Sequence, residues 1–95
     1  MFQVEYNREI QTIFLSGSFD ASKAEEVEKV LDMVEKSITV DMSGLEFICS
    51  AGIGLLVRVY RKLKENGEEI YLVNLNEHLN KVFKLSLLDK IFKIQ

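Results

Sequence analysis

The segment FICSAGIGLLV, residues 47–57, lies where an extended sequence pattern changes to a helical one. From its second half onward, apolar residues recur at three- and four-residue spacing, at Ile53, Leu56, Val57, Tyr60 and Leu63. This spacing predicts a helix that begins near Ser50 and buries one side. Asn66-Gly67 ends the helix, because glycine suits the left-handed residue that follows a helix.

The residues before this segment predict a strand. Ile38-Thr39-Val40 is rich in β-branched side chains, and Asp41 with Ser43-Gly44 is typical of a turn. We therefore expect a short strand that ends at Asp41, followed by a loop that leads into the helix.

The N-terminal part predicts a hairpin and a helix. Phe2, Val4 and Tyr6 alternate with polar residues, and residues 10–15 form a second extended run, which ends at Ser16-Gly17-Ser18. Ser22 followed by Glu25 is a capping-box pattern ahead of apolar residues at helical spacing. The pattern predicts a first helix from about Ser22 to Lys36.

The C-terminal part predicts strand, helix and strand. Residues 70–75 are apolar enough for a strand, and Asn76 can cap a helix whose buried side contains Leu79, Val82 and Phe83. Residues 91–94 can pair at a sheet edge, while residues 85–88 have no clear assignment. The order ββαβαβαβ predicts an α/β fold with a mixed, mainly parallel sheet, an N-terminal hairpin and three helices.

Composition and charge limit the functional classes. Residues 1–95 form one expected domain, because 47% hydrophobic and 28% charged residues are typical of a globular chain. A net charge of -3 argues against nucleic-acid and membrane partners. The start of the chain lacks the pattern of a secretory signal, so a cytoplasmic location is expected. A single cysteine and one histidine provide no metal-site spacing, and no cofactor is expected.

Ser50 is the residue with the clearest regulatory chemistry. At the first turn of a helix, backbone N–H groups lack intrahelical partners and attract anions. A phosphate on Ser50 would add about -1.5 to -2 charges near the Asp20 loop and repel a docked partner. The alternative is that Ser50 only caps the helix.

Three stretches resemble a known family. The run DMSGLEFICSAGIGLL, residues 41–56, resembles the signature of the STAS domain family of bacterial anti-sigma factor antagonists. Gly17-Ser18-Phe19-Asp20 is similar to the step before the first helix in that family. Residues 82–86 and 90–92 are similar to its C-terminal segment, so the resemblance covers nearly the whole chain.

The resemblance implies a switch protein and not an enzyme. It implies binding to an anti-sigma factor, often itself a serine kinase, which frees a sigma factor, and release when Ser50 is phosphorylated. Members usually have an aspartate before that serine, where this sequence has Cys49. The expected partner-binding residues are Asp20, Ser22, Cys49, Ser50, Ala51, Gly52, Ile53 and Leu55.

Other interpretations of the same residues stay open. Cys49 is either a redox-sensitive thiol or a small inert residue, and the helix N-terminus could hold a nucleotide or another anion in a small-ligand sensor. Asp20 and Asp41 are either a carboxylate pair near Ser50 or separate turn residues. Leu55 and Val59 either form an exposed docking patch or are buried. An inert scaffold within a larger assembly is a further alternative.

Overall fold

The computed structural model of the protein describes residues 1–95, and its elements follow the predicted order. One sheet contains five strands in chain order: β1 (Gln3–Asn7), β2 (Thr12–Phe19), β3 (Ile38–Ile48), β4 (Ile70–Val73) and β5 (Lys93–Ile94). Three α-helices connect the parallel strands: α1 (Ala24–Leu31), α2 (Ser50–Glu65) and α3 (Glu77–Leu85). β1 is antiparallel to β2, and the other pairs are parallel. The predicted fold class is confirmed.

The three helices cover one face of the sheet. Because the strands lie in chain order and parallel crossovers are right-handed, every helix falls on the same side. Ile13, Val40 and Leu72 lie side by side in neighbouring strands, and all three are buried. The adjacent row of Phe14, Asp41 and Val73 is only partly covered. The core is therefore a single layer between the helices and one face of the sheet.

β3 is longer than the sequence predicts, because it continues past Asp41 to Ile48. Its pairing with β2 also continues, with register shifts that keep Ser16 beside Gly44. A β-carbon at position 44 would approach the Ser16 Cβ to 2.7 Å, so the glycine permits this close contact between strands. The prediction that Ser43-Gly44 ends the strand in a turn is wrong, since Gly44 pairs with Ser16 of β2 and the Ser43 N–H bonds to the Asp41 carboxylate within an irregular part of the same strand.

α1 begins later and ends earlier than predicted. The Ser22–Glu25 capping box does not form, because Asp20 caps a short 3₁₀ helix at Ala21–Lys23 that precedes α1. α1 ends at Leu31, and the backbone N–H groups of Met33 and Val34 bond three residues back. Val34 is still buried, so this tight turn completes the apolar side that the pattern assigned to the helix.

The C-terminal predictions are largely confirmed. The Asn76 side chain accepts a hydrogen bond from the Leu79 N–H at 2.8 Å and caps α3. Leu79 and Phe83 are buried in the core, and β5 pairs with β4 at the sheet edge. Residues 85–88, which the sequence left unassigned, contain the end of α3 and the beginning of a 3₁₀ helix at Leu88–Lys90.

Candidate functional site

The candidate site lies at the carboxyl ends of β2 and β3. Phe19, the last residue of β2, is paired with Ile48, the last residue of β3. The Cys49 N–H donates to the Phe19 carbonyl oxygen at 2.9 Å. This bond holds the Asp20 loop beside the beginning of α2, so two segments singled out in the sequence lie together.

Cys49, and not Ser50, caps α2. The Cys49 Sγ accepts a hydrogen bond from the Gly52 N–H at 3.4 Å, and Cys49 has the extended backbone of an N-cap residue. Ser50 is the first helical residue, and its side chain is exposed. The alternative that Ser50 serves as the helix cap is therefore wrong, because the preceding residue already has that role.

The first turn of α2 is electropositive. Its first N–H groups have no intrahelical acceptors, and no acidic side chain lies in this turn. The basic residues Lys62 and Lys64 lie at the opposite end of the helix. An anion attached to Ser50 would consequently meet backbone donors and the positive end of the helix dipole.

Gly52 faces the core and not a partner. It is buried, and a β-carbon there would lie 2.9 Å from Ile48 Cγ1 and 3.0 Å from Phe19 Cε2. The prediction that Gly52 forms part of the accessible binding surface is corrected by this burial. Ala51 is exposed, whereas Ile53 and Leu55 are half-buried.

Asp20 and Ser22 form a small polar cluster beside α2. The Asp20 Oδ1 accepts hydrogen bonds from the Ser22 hydroxyl and from the Ser22 N–H, the latter at 3.0 Å. The hydroxyl bond is the main reason that the pKa of Asp20 lies below its ordinary value. Both residues are exposed, so an ionised carboxylate faces solvent next to the site.

Asp41 does not belong to this site. It lies beside Phe14 in the middle of the β2–β3 ladder and bonds to the Ser43 N–H and the Asn74 amide. Roughly 20 Å of extended strand separate it from the end of β3, at about 3.3 Å per residue. The hypothesis of an Asp20–Asp41 carboxylate pair near Ser50 is therefore wrong.

Of the two interpretations of Leu55 and Val59, an exposed docking patch or burial, the structure favours burial. Val59 is 5% exposed and belongs to the core, together with Leu56 and Leu63. Val57 and Tyr60, predicted to face the core, are half-buried. The buried side of α2 is thus rotated from the predicted one, because the helix also packs against α1.

Arg58 and Lys62 connect α2 to α1. The Arg58 guanidinium lies 2.6 Å from a Glu28 carboxylate oxygen and 3.5 Å from one of Asp32. Lys62 donates to the Leu31 carbonyl oxygen at 3.4 Å. No local sequence pattern indicates these pairs, because the pattern does not show that α1 and α2 are neighbours.

Surface cavities lie away from Ser50. One, of about 390 Å³, is lined by Tyr6, Arg8, Gln11, Met33, Glu35 and Lys36. The other is lined by Tyr60, Arg61, Lys64 and Glu65. No group of three or more acidic, histidine or cysteine side chains is arranged to bind a metal ion. None of the helices has the length and apolarity that crossing a membrane requires.

Comparison with known proteins identifies the family. A family model described as "Mlab, STAS domain" matches residues 2–94. The chain belongs to the STAS domain family. This assignment confirms the resemblance that residues 17–20, 41–56 and 82–92 carry.

Individual relatives of this STAS domain are named as anti-sigma factor antagonists. An anti-sigma-B factor antagonist of Listeria monocytogenes is 25% identical over 87 residues, covering 87% of this chain and 76% of that protein. The structure of an anti-sigma factor antagonist from Mycobacterium paratuberculosis matches with a TM-score of 0.81 at 24% identity, over 99% of this chain and 83% of that one. The phosphorylated form of the Bacillus cell fate determinant SpoIIAA matches with a TM-score of 0.73 at 22% identity, over 100% of this chain and 91% of that one. The two structural matches establish the STAS fold.

Phe47 is a further candidate residue of the STAS domain site, although no sequence motif indicates it. Phe47 is 43% exposed and lies beside the exposed Ser18, immediately before the segment that leads into α2. Exposed aromatic side chains are common anchors of protein interfaces. Regular alternation from the buried Leu45 would place Phe47 on the buried face, so its exposure follows from the register shift between β2 and β3 at this point, which the sequence does not indicate.

Proposed function

We propose that this STAS domain is an anti-sigma factor antagonist whose partner binding is controlled by phosphorylation of Ser50. The observation that carries the proposal is the exposed hydroxyl of Ser50 at the first position of α2. A kinase needs a hydroxyl that is not engaged in a structural hydrogen bond. Cys49, and not Ser50, caps the helix, so the Ser50 hydroxyl meets this requirement. The names of the relatives support the same class of function.

The proposed partner surface consists of exposed residues around Ser50. It contains Asp20 and Ser22 from the loop after β2, Ala51 from the first turn of α2, and Phe47 from the end of β3. Cys49, Ile53 and Leu55 contribute the half-buried part. The partner is an anti-sigma factor, and the kinase that modifies Ser50 is either that partner or a separate protein.

Phosphorylation would change this surface through charge. A phosphoserine carries about -1.5 to -2 charges at neutral pH, and the positive end of α2 tolerates that charge within the domain. The same group faces a partner that had docked against a neutral serine next to ionised Asp20. The water that the phosphate would have to lose at an interface fitted to a neutral serine then favours dissociation.

The test compares charge variants in a pull-down with the anti-sigma factor. Ser50→Ala should retain the partner and Ser50→Asp should lose most of it. Ser86→Asp is the matched control. Ser86 is exposed at the end of α3, which lies at the opposite end of the strands from Ser50. Equal retention by Ser50→Asp and Ser86→Asp would contradict the switch.

Direct phosphorylation is the second test. Incubation with ATP and the kinase, followed by mass spectrometry, should locate one phosphate on Ser50. Phosphate on another serine, or on none, would remove the regulatory part of the proposal while leaving the partner class open to the pull-down.

The small-ligand and thiol-sensor alternatives have weaker support. The two cavities are lined by other residues than Cys49 and Ser50. The Cys49 Sγ is engaged with the Gly52 N–H and packs partly against the core. We therefore retain the antagonist as the single proposed function.

A further inference from the structure

The net charge of the chain hides an uneven distribution. Residues 80–95 contain four lysines and one aspartate, which is a net charge of +3, whereas residues 1–79 carry -6. Lys81, Lys84, Lys90 and Lys93 are all exposed. The net charge of the whole chain argued against anionic partners, but it is the sum of a basic C-terminal segment and an acidic remainder.

The same segment exposes large apolar side chains. Leu85 is 83% exposed, Leu87 62% and Ile91 37%, and all three lie in residues 84–93, which we call the basic turn. Single exposed apolar residues are ordinary, but three such residues within seven positions, flanked by exposed lysines, are a local concentration of apolar and basic side chains. The basic turn therefore combines the two features that attract a protein to an anionic lipid surface.

Leu87 has a backbone conformation that its side chain disfavours. Its φ is 60°, in the left-handed region, and it follows the C-cap Ser86 at a position that glycine usually occupies. The Leu87 N–H bonds to the Lys84 carbonyl oxygen at 3.1 Å, as expected for such a helix end. Because the leucine side chain is mostly exposed, packing within the domain does not account for its presence there.

A buried aromatic side chain, Phe92, anchors the basic turn to the core. Phe92 is 3% exposed, and its ring lies 5.7 Å from that of Tyr60 and 5.9 Å from that of Phe83. The Phe92 N–H also bonds to the Leu88 carbonyl oxygen at 3.0 Å. The exposed leucines thus project from an ordered support, so their display needs little further ordering when a surface is bound.

We propose that the basic turn docks the domain on an anionic membrane surface, with Leu85, Leu87 and Ile91 entering the headgroup region and the surrounding lysines facing lipid phosphates and carboxylates. The basic turn leads into β5 and ends at its first residue, so it lies at the amino ends of the parallel strands, while Ser50 follows the carboxyl end of β3. The acidic remainder of the chain is repelled by the same surface. Docking therefore orients the domain with Ser50 away from the membrane and free for a partner.

The composition of the basic turn favours a membrane over a protein partner. Lysine is depleted in protein interfaces, whose anchors are mainly tyrosine, tryptophan and arginine. The basic turn contains three lysines, one aspartate (Asp89) and no exposed aromatic residue. Its exposed leucines lie at the end of a helix. Such side chains can enter a headgroup layer without a preformed pocket.

The test is cosedimentation of the full chain with phosphatidylcholine vesicles that contain or lack phosphatidylserine. The protein should sediment with the phosphatidylserine vesicles at low salt and much less at high salt. Lys84→Gln combined with Lys90→Gln should weaken binding roughly 25-fold, since each lysine near an anionic surface contributes roughly fivefold. The matched control is Lys23→Gln with Lys29→Gln, which changes the net charge equally and should reduce binding much less.

The Leu87→Gly variant distinguishes a loss of membrane binding from a loss of stability. Glycine relieves the left-handed position, so the variant should be at least as stable as the wild type, yet it should bind the vesicles about tenfold more weakly. Unchanged binding of Leu87→Gly, equal losses in the two lysine pairs, or equal sedimentation with both vesicles would overturn the proposal. Absence of vesicle binding together with retention on poly-glutamate beads would overturn it in favour of an acidic protein partner.

Discussion

Two glycines in α2 offer a matched pair of alanine substitutions. Both lie inside the same helix, but Gly52 faces Phe19 and Ile48, while nothing lies within 4 Å of a β-carbon at Gly54. Alanine is favoured over glycine within a helix by about 1 kcal/mol, and this gain is similar at the two positions. The difference between the variants therefore measures the packing contact at position 52.

The structure predicts opposite outcomes for the two substitutions. Gly54→Ala should stabilise the domain by about 0.5–1 kcal/mol. At position 52 the new methyl group meets the Phe19 ring, which is fully buried and has little room to move. Such overpacking typically costs about 1–3 kcal/mol, so Gly52→Ala should be less stable than Gly54→Ala by that amount.

Urea unfolding followed by far-ultraviolet circular dichroism would measure this difference. A gap of about 2 kcal/mol corresponds to a midpoint shift of roughly 1 M urea for a small domain. Gly52→Ala should cost less when it is introduced into a Phe19→Leu variant than into the wild type, because the smaller side chain leaves space for the methyl group. The reasoning is refuted if Gly52→Ala unfolds at the same or a higher urea concentration than Gly54→Ala.

Two further predictions concern the cap of α2 and a carboxylate outside the site. Cys49→Asp should stabilise the domain by about 1 kcal/mol, because a carboxylate is a stronger acceptor than the thiol at an N-cap; a lower thermal midpoint would contradict this. The Ser37 hydroxyl and N–H, at 2.8 and 2.7 Å, lower the pKa of Glu68 from its ordinary 4.5, so this pair stabilises the fold at neutral pH and the stabilisation is lost as the pH falls below about 4.5. Ser37→Ala should raise the pKa of Glu68 in a carboxyl NMR titration and reduce the loss of stability in acid, and an unchanged titration would count against the assignment.

Predictions that depended on adjacent residues succeeded. The alternation of Val4 and Tyr6 with polar residues predicted β1, and the side chain of Asn76 predicted the beginning of α3. The position of Ser50 at the start of α2 was also correct. Each of these signals is local, since strand alternation and helix capping involve residues within a few positions of one another.

Predictions that depended on distant partners failed. Ser43-Gly44 has the composition of a turn, but pairing with β2 keeps it in a strand. Ser22 had the pattern of a helix cap, but the Asp20 carboxylate accepts a hydrogen bond from the Ser22 N–H and is the cap instead. For Val59 the sequence left exposure and burial open, and packing between helices buries it. In each case a contact that the local pattern does not encode decided the outcome.

The amino-acid sequence by itself determined the order of strands and helices, the family, and the serine at the start of α2, because these follow from periodicity, caps and a contiguous motif. Only the tertiary structure decided that Cys49 caps α2, that Gly52 is buried against Phe19, and that the leucines of the basic turn face solvent. Exposure and contact depend on which surfaces the folded chain brings together. Those surfaces come from segments far apart in the sequence, so no short pattern specifies them.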